Sequence, residues 1–308
     1  MKIIFMGSAA FAVPSLMALA EAEHEIAEVV TQPDKPAGRG REITPCPIAA
    51  KARKMNLQLY QPKSVKKPEV ISHFKERAPD LIAIVAYGKI LPIELIEIPK
   101  FGCVNVHSSL LPKYRGAAPI NWAIINGETE TGVTTMRINE EMDAGEILLS
   151  CKTDIDDVED APMLHDRLAQ MGSNLLVETI SQIESGRIRP RNQDHTKATY
   201  APMIRKEDGL IDWSMRAKDI YNRVRGFKPW PGAFTHLGGK SLRIHEAALT
   251  DLDFDAAPGE IIETDGALAV KCGSGVLYLI EVQLEGKKKM PAQDFLRGYK
   301  VKKGTILK

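Results

Sequence analysis

LIAIVA, residues 81–86, is the most apolar short run in this chain, and it constrains the fold more than any other stretch. It carries no charge, is too short for a buried helix, and suits a central strand covered on both faces. KIIFM (2–6), IAEVVT (26–31) and CVNVH (103–107) are runs of the same kind. Helical patterns lie between them, at VPSLMALAEA (13–22) and in a short helix starting near Pro92. Strand and helix alternating in this way build a parallel sheet whose connections cross over its faces. TTMRI (134–138) and EILLSCKTDI (146–155) add a pair of strands, and residues 162–186 form a long amphipathic helix closed by Gly186. The expected fold is α/β: a Rossmann-like, mostly parallel sheet with helices on both faces.

The grammar changes after residue 186. Residues 187–205 are polar, basic and without period, as in a linker. A helix is expected at 214–225, then PWPGAF (229–234), then short strand-like runs at 241–249, 260–264, 267–272 and 276–285. Short strands at that spacing predict a small antiparallel β-barrel of the OB-like kind. The 308 residues therefore divide into a first domain at 1–188, a linker at 189–206 and a second domain at 207–308. Trp230, between two prolines, reads as an anchor of the second core.

The formal charge of +1 hides an asymmetry. Residues 1–186 hold 19 Lys or Arg against 25 Asp or Glu, and residues 187–308 hold 22 against 15. A run such as Lys287, Lys288 and Lys289 with Arg297, Lys300, Lys302 and Lys303 suits either a polyanion or a solvated lysine face.

Composition and missing motifs exclude several classes. A chain 44% hydrophobic and 26% charged, with no apolar run near the ~20 residues of a membrane helix, is expected to stay off membranes. MKIIFMGSAAF is broken too early for a signal peptide, so a cytoplasmic location is expected. Cys46, Cys103, Cys151 and Cys272 lie far apart with no C-x-x-C, and His and Cys do not cluster. Free buried thiols and no metal are expected. The first turn, GSAAFAVP, lacks the G-x-G-x-x-G of a dinucleotide site, and the glycine pair of AGRGREI (37–43) opens no helix. Neither a P-loop nor a G-x-S-x-G is present, which leaves Ser108 and Ser109 without a nucleophile's setting.

NVHSSLLPKYRG (105–116) is the stretch that carries chemistry. Residues two apart on a strand share a face, so Asn105 and His107 project together at a strand's carboxyl end, where open α/β sheets place their sites. A histidine there is, on its own, more often a hydrogen-bonded structural residue than a catalyst. Pro112 stiffens the loop that follows, and the turn MDAGE (142–146) between two later strands offers Asp143 as a carboxylate for the imidazole. Such a neighbour sets the ring's tautomer.

These residues resemble the N-x-H-x-S-L-L-P-x-x-R-G signature of the folate-dependent formyltransferases, with Asp143 in the place of that family's active-site aspartate. TQPDKPAGRGR (31–41), VAYGKILP (85–92), RGAAPI (115–120), IDW (211–213) and RVRGFKPWPGA (223–233) extend the resemblance over nearly the whole length. They are similar to the branch of the family that acts on initiator tRNA. Gly7-Ser8-Ala9-Ala10 departs from the usual Gly-Thr-Pro, and Ser108 stands where Gly or Ala is commoner.

The resemblance implies transfer of a formyl group from 10-formyltetrahydrofolate to the α-amino group of methionine on initiator tRNA, without metal and with no obligate protein partner. Asn105 would supply N–H groups to the oxyanion. His107 would donate to the same oxygen or relay a proton towards the folate nitrogen, and Asp143 would orient it and help accept the amine proton. Ser109, Leu110, Leu111 and Pro112, with Tyr87 and Gly88, correspond to folate contacts, although plain core packing suits one of the two leucines. Arg115 is open between a role in the site and a structural pairing with a carboxylate. Lys35, Arg39 and Arg41 correspond to the contact with the tRNA acceptor end, where Gly38 and Gly40 allow movement. An amino-sugar nucleotide or glycinamide ribonucleotide is the alternative substrate, and a non-catalytic RNA-binding protein is the alternative class.

Overall fold

The computed structural model describes residues 1–22, 24–37, 42–263, 266–299 and 301–308. By contact the chain forms two compact units: Met1–Pro119, Glu130–Asp154 and His165–Ala201 in the first, and Ile120–Thr129, Ile155–Leu164 and Pro202–Lys308 in the second.

The strands of the first unit are β1 (Lys2–Gly7), β2 (Glu25–Val30), β3 (Lys35–Ala37), β4 (Glu42–Thr44), β5 (Leu59–Tyr60), β6 (Leu81–Val85), β7 (Cys103–His107), β8 (Arg115–Gly116), β9 (Glu130–Arg137), β10 (Ile147–Asp154) and β11 (Tyr200–Ala201). Seven of them form one sheet in the order β10-β9-β7-β6-β1-β2-β5. Neighbours from β5 through to β7 are parallel, and β9 runs antiparallel to both β7 and β10. β6, the LIAIV run, is buried at every position.

Helices cover both faces. Ile4, Met6, Ile82 and Ile84 pack with Val70 and Phe74 of α3 (Pro68–Arg77) and with Leu95 and Ile96 of α4 (Ile93–Ile96). On the other face lies α6 (Ala161–Glu184), which buries Leu168, Leu175, Leu176, Ile180 and Ile183 at helical spacing. A Cβ on Gly172 of α6 would sit 2.9 Å from Val106 Cγ1, so the missing side chain is what lets this helix close on β7. α1 (Val13–Glu21) and α2 (Pro47–Lys54) complete the helices of this unit, and α5 (Pro119–Ile125) belongs from Ile120 onward to the second.

In the second unit, α7 (Ala217–Gly226) and α8 (Ala292–Gly298) pack with an antiparallel sheet of β12 (Ala233–Leu237), β13 (Lys240–Thr250), β14 (Ile261–Glu263), β15 (Leu268–Lys271), β16 (Val276–Leu284) and β17 (Met290–Pro291). The order is β12-β13-β16-β15-β14, with register shifts in β13 around Glu246 that curl it; among the described residues no ladder joins β12 to β14. The sheet is thus a curled half-barrel. Its core includes Ile220 and Val224 of α7, Leu242, Ile244, Leu277 and Leu279. Trp213 is 5% exposed there and donates its indole N–H to Thr235 Oγ1 at 2.9 Å.

The structure departs from the sequence reading at three places. Within the expected linker, Arg191 pairs with Ile147, Gln193 is buried, and Tyr200–Ala201 ladders in parallel with β8. Trp230, expected in the core, is 56% exposed. Of the four free cysteines, Cys103 and Cys272 are buried, whereas Cys151, on the edge strand β10, is exposed.

Candidate active site

β1, β6 and β7 are parallel neighbours, so their carboxyl ends open on one rim of the sheet. Asn105 and His107 stand at the end of β7 as the period of two requires. His107 is 6% exposed, and its Nε2 lies 2.9 Å from the carbonyl oxygen of Tyr114. A carbonyl only accepts, so Nε2 carries the hydrogen and the neutral ring keeps its lone pair on Nδ1. Nδ1 faces Asp143 Oδ2 at 3.8 Å. At that distance the two acceptors make no direct hydrogen bond, and a single donor such as an amine can reach both. The carboxamide of half-buried Asn105 has no hydrogen-bond partner among the described residues, so both its N–H groups are free for an incoming oxygen.

Asp143 is held from two sides. Its carboxylate accepts from the Gly116 N–H at 2.8 Å, and its main chain, at φ 52°, is fixed by Gln193, whose Nε2 donates to the carbonyls of Asp143 (2.9 Å) and Gly145 (2.8 Å). The Gln193 carbonyl in turn accepts from Nε and Nη2 of Arg115 at 3.1 and 2.7 Å. Arg115 is 3% exposed. Its partner is therefore a neutral amide instead of the carboxylate entertained from the sequence, and that amide ties the 115–116 segment to the 143–145 turn. Gly116 is required where it stands: at φ 118°, a Cβ would lie 2.7 Å from the Ala201 carbonyl oxygen. Sequence reasoning missed Gln193. The signal available was Arg115 itself, since a buried guanidinium needs acceptors.

The loop after β7 is tied to β9 through one hydroxyl. Thr134 Oγ1 donates to the Ser109 carbonyl at 2.7 Å and accepts from the Leu111 N–H at 3.2 Å, while Ser109 Oγ donates to the Lys113 carbonyl at 2.6 Å. Leu111, before the cis peptide to Pro112, packs with Met136 and Ile147 and is the core leucine of the two, whereas Leu110 is half-buried.

Tyr87 and Gly88 follow β6 on the same rim. Tyr87 is 3% exposed, and burial pushes its phenol up to about 12. Its carbonyl accepts from Gln32 Nε2 at 2.8 Å and from Ser8 Oγ, which itself accepts the Gln32 N–H at 3.2 Å. Ser8, one of the departures from the family pattern, thus keeps a working hydroxyl between the ends of β1, β2 and β6.

Lys35 is exposed and reaches Gln32 Oε1 at 3.2 Å. Nearby, Arg53 and Gln61 hold the Asp34 carboxyl below the usual carboxylate range. Arg39 and Arg41 lie outside the described residues. Among the described residues no group of three or more His, Cys, Asp or Glu is placed to hold a metal, and no helix is long and apolar enough to cross a membrane.

A doubly wound sheet with an amide and an imidazole two residues apart at one strand end, and a carboxylate 3.8 Å from the imidazole, defines a class, and comparison gives that class its name. The chain belongs to the formyl transferase family, matching its N-terminal description over residues 1–180 and its C-terminal domain over residues 203–300. It is therefore an enzyme of formyl transfer. A methionyl-tRNA formyltransferase from Citrifermentans bemidjiense is 48% identical over 309 residues, a match covering 100% of this chain and 96% of that one. The fold is shared with solved structures of lower identity. HypX from Aquifex aeolicus, in complex with tetrahydrofolic acid, is 20% identical with a TM-score of 0.64, covering 96% of this chain and 47% of that protein. An N-formyltransferase from Helicobacter canadensis, in complex with folinic acid and dTDP-3-aminofucose, is 17% identical with a TM-score of 0.68, covering 91% of this chain and 98% of that one.

Proposed function

We propose that this chain transfers the formyl group of 10-formyltetrahydrofolate to the α-amino group of methionine esterified to initiator tRNA, in the cytoplasm, at the start of translation. The observation that carries the reading is His107 Nδ1 facing Asp143 Oδ2 at 3.8 Å, beside the unpartnered Asn105 amide. Nearly half of the chain being identical to a methionyl-tRNA formyltransferase, over its whole length, supports the substrate.

An α-amino group has a reference pKa of about 7.7–8.0, and esterifying the neighbouring carboxyl lowers it, so much of the nucleophile is already neutral. The catalyst's main tasks are positioning and charge. The amine nitrogen bonds to the formyl carbon, and the former carbonyl oxygen takes the negative charge beside the Asn105 N–H groups, a contact worth about 3–4 kcal/mol in comparable oxyanion sites. The proton lost by the attacking nitrogen enters the space between Asp143 Oδ2 and His107 Nδ1. It passes to the departing folate nitrogen as that carbon–nitrogen bond breaks, leaving formylated methionyl-tRNA and tetrahydrofolate.

Ser109, Leu110, Pro112, Tyr87 and Gly88 would line the folate side, with Leu111 fixing that loop from beneath. Lys35, Arg39 and Arg41 would meet the acceptor end of the tRNA, and the basic second domain its body, with the catalytic domain at 1–188 and the second at 207–308. The test is transfer of labelled formyl from the folate to methionyl-tRNA, with glycinamide ribonucleotide and an amino-sugar nucleotide as competitors. Preference for methionyl-tRNA is expected, and preference for either competitor overturns the assignment.

A further inference from the structure

The hairpin β12–β13 shows one face to the core and the other to solvent. Ala233, Thr235, Leu242 and Ile244 are buried. Between them Phe234 stands opposite Arg243, and His236 opposite Ser241, so the period of two puts these four on the outer face. There they line a cavity of about 340 Å³ together with Lys206, Glu207 and Trp230. Trp230 is 56% exposed, and Phe234 meets His236 edge to face at 5.9 Å. Arg243 lies along the main chain beside Trp230, since a Cβ on Gly232 would be 3.3 Å from its Cδ and Nε. Among the described residues neither Arg243 nor Lys206 takes part in an ion pair.

A free indole face beside uncommitted cations is how proteins hold unpaired bases: the ring stacks on the base while the cations meet its phosphate. The volume is at the low end of small-ligand sites, right for one nucleotide and too small for a duplex. One carboxylate, Glu207, against Arg243 and Lys206 leaves the cavity net positive and provides an acceptor for a base N–H. We propose that this cavity is a stacking site for an unpaired nucleotide of the tRNA substrate, with the base on Trp230 and its phosphate on Arg243 and Lys206. The proposal rests on the tRNA reading above.

Two measurements on the full chain test it. In steady-state formylation, Trp230→Ala should raise KM for methionyl-tRNA by about 5- to 150-fold, the range for loss of one stacked base, at unchanged kcat and unchanged KM for the folate. Trp230→Phe should recover most of the affinity, and Arg243→Glu should raise the same KM. In a fluorescence titration, a single-stranded adenylate octamer should quench the wild-type tryptophan signal more than a 12-base-pair RNA duplex does, and Trp230→Phe should abolish the difference. The site is refuted if KM for methionyl-tRNA stays within twofold in both Trp230→Ala and Arg243→Glu, if kcat falls instead of KM rising, or if the octamer leaves the fluorescence unchanged. If the wild-type enzyme does not formylate methionyl-tRNA, the substrate reading fails by itself and the octamer titration alone decides whether the site exists.

Discussion

Replacing Gln193 separates holding the site together from merely filling space. In Gln193→Ala the Arg115 guanidinium, 3% exposed, loses its acceptor at both Nε and Nη2, and the carbonyls of Asp143 and Gly145 lose their donor. Leaving a buried charged donor without its acceptor costs about 1–3 kcal/mol or more, against a typical stability of about 5–15 kcal/mol, so the variant should fold but melt earlier. The Asp143 and Gly145 carbonyls would then lose the tie to the 115–116 segment, leaving the Gly116 N–H to position the carboxylate. A displacement near 1 Å costs on the order of 100-fold in rate, so kcat should fall by about 10- to 100-fold. Gln193→Glu is the control. Its carboxylate still accepts from Arg115 and should restore much of the stability, but it turns an oxygen towards two carbonyl oxygens that need a donor, so kcat should stay low. Thermal melts and single-turnover formyl transfer read the two effects separately. A folded Gln193→Ala with kcat within twofold of wild type, or a Gln193→Glu with full kcat, would refute the reasoning.

Two further outcomes are expected. Asn105→Ala should lower kcat by about 100- to 1000-fold with an unchanged melting temperature, because the amide has no described partner to lose; near-normal turnover would remove it from the oxyanion's surroundings. Tyr87→Phe should flatten the alkaline limb of stability. The buried phenol, pushed up to about 12, stays protonated in the fold while the unfolded chain ionises near pH 10, so the wild type keeps this contribution below about pH 10 and loses it as pH rises towards about 12. Denaturant melts between those values check it, and identical alkaline limbs for the two proteins would contradict it.

What the sequence made legible follows from period and punctuation. Strand alternation fixed which of Asn105, Val106 and His107 share a face, and an apolar run such as LIAIV has few other places to go than the middle of a parallel sheet. Asp143 was legible because a turn between two strands beside β7 brings its side chain to the rim. Gln193 was not, because a polar residue in an aperiodic stretch gives no local sign that a buried arginine, 78 positions earlier in the chain, requires it. The two-residue ladder of β8 with β11 is likewise shorter than any pattern that periodicity detects. Trp230 misled for a different reason: large aromatic rings are usually buried, but this one sits in the turn before β12, 56% exposed and lining a cavity with Phe234 and Arg243.

The most direct measurement is the single-turnover rate of formyl transfer to methionyl-tRNA by Asp143→Asn, with folate binding measured alongside. The substituted amide preserves the size of the side chain and an oxygen for the Gly116 N–H but cannot take the amine's proton, so the rate should drop by about 100- to 10,000-fold while the folate binds as before. A rate within threefold of wild type would mean that no proton passes between this carboxylate and His107.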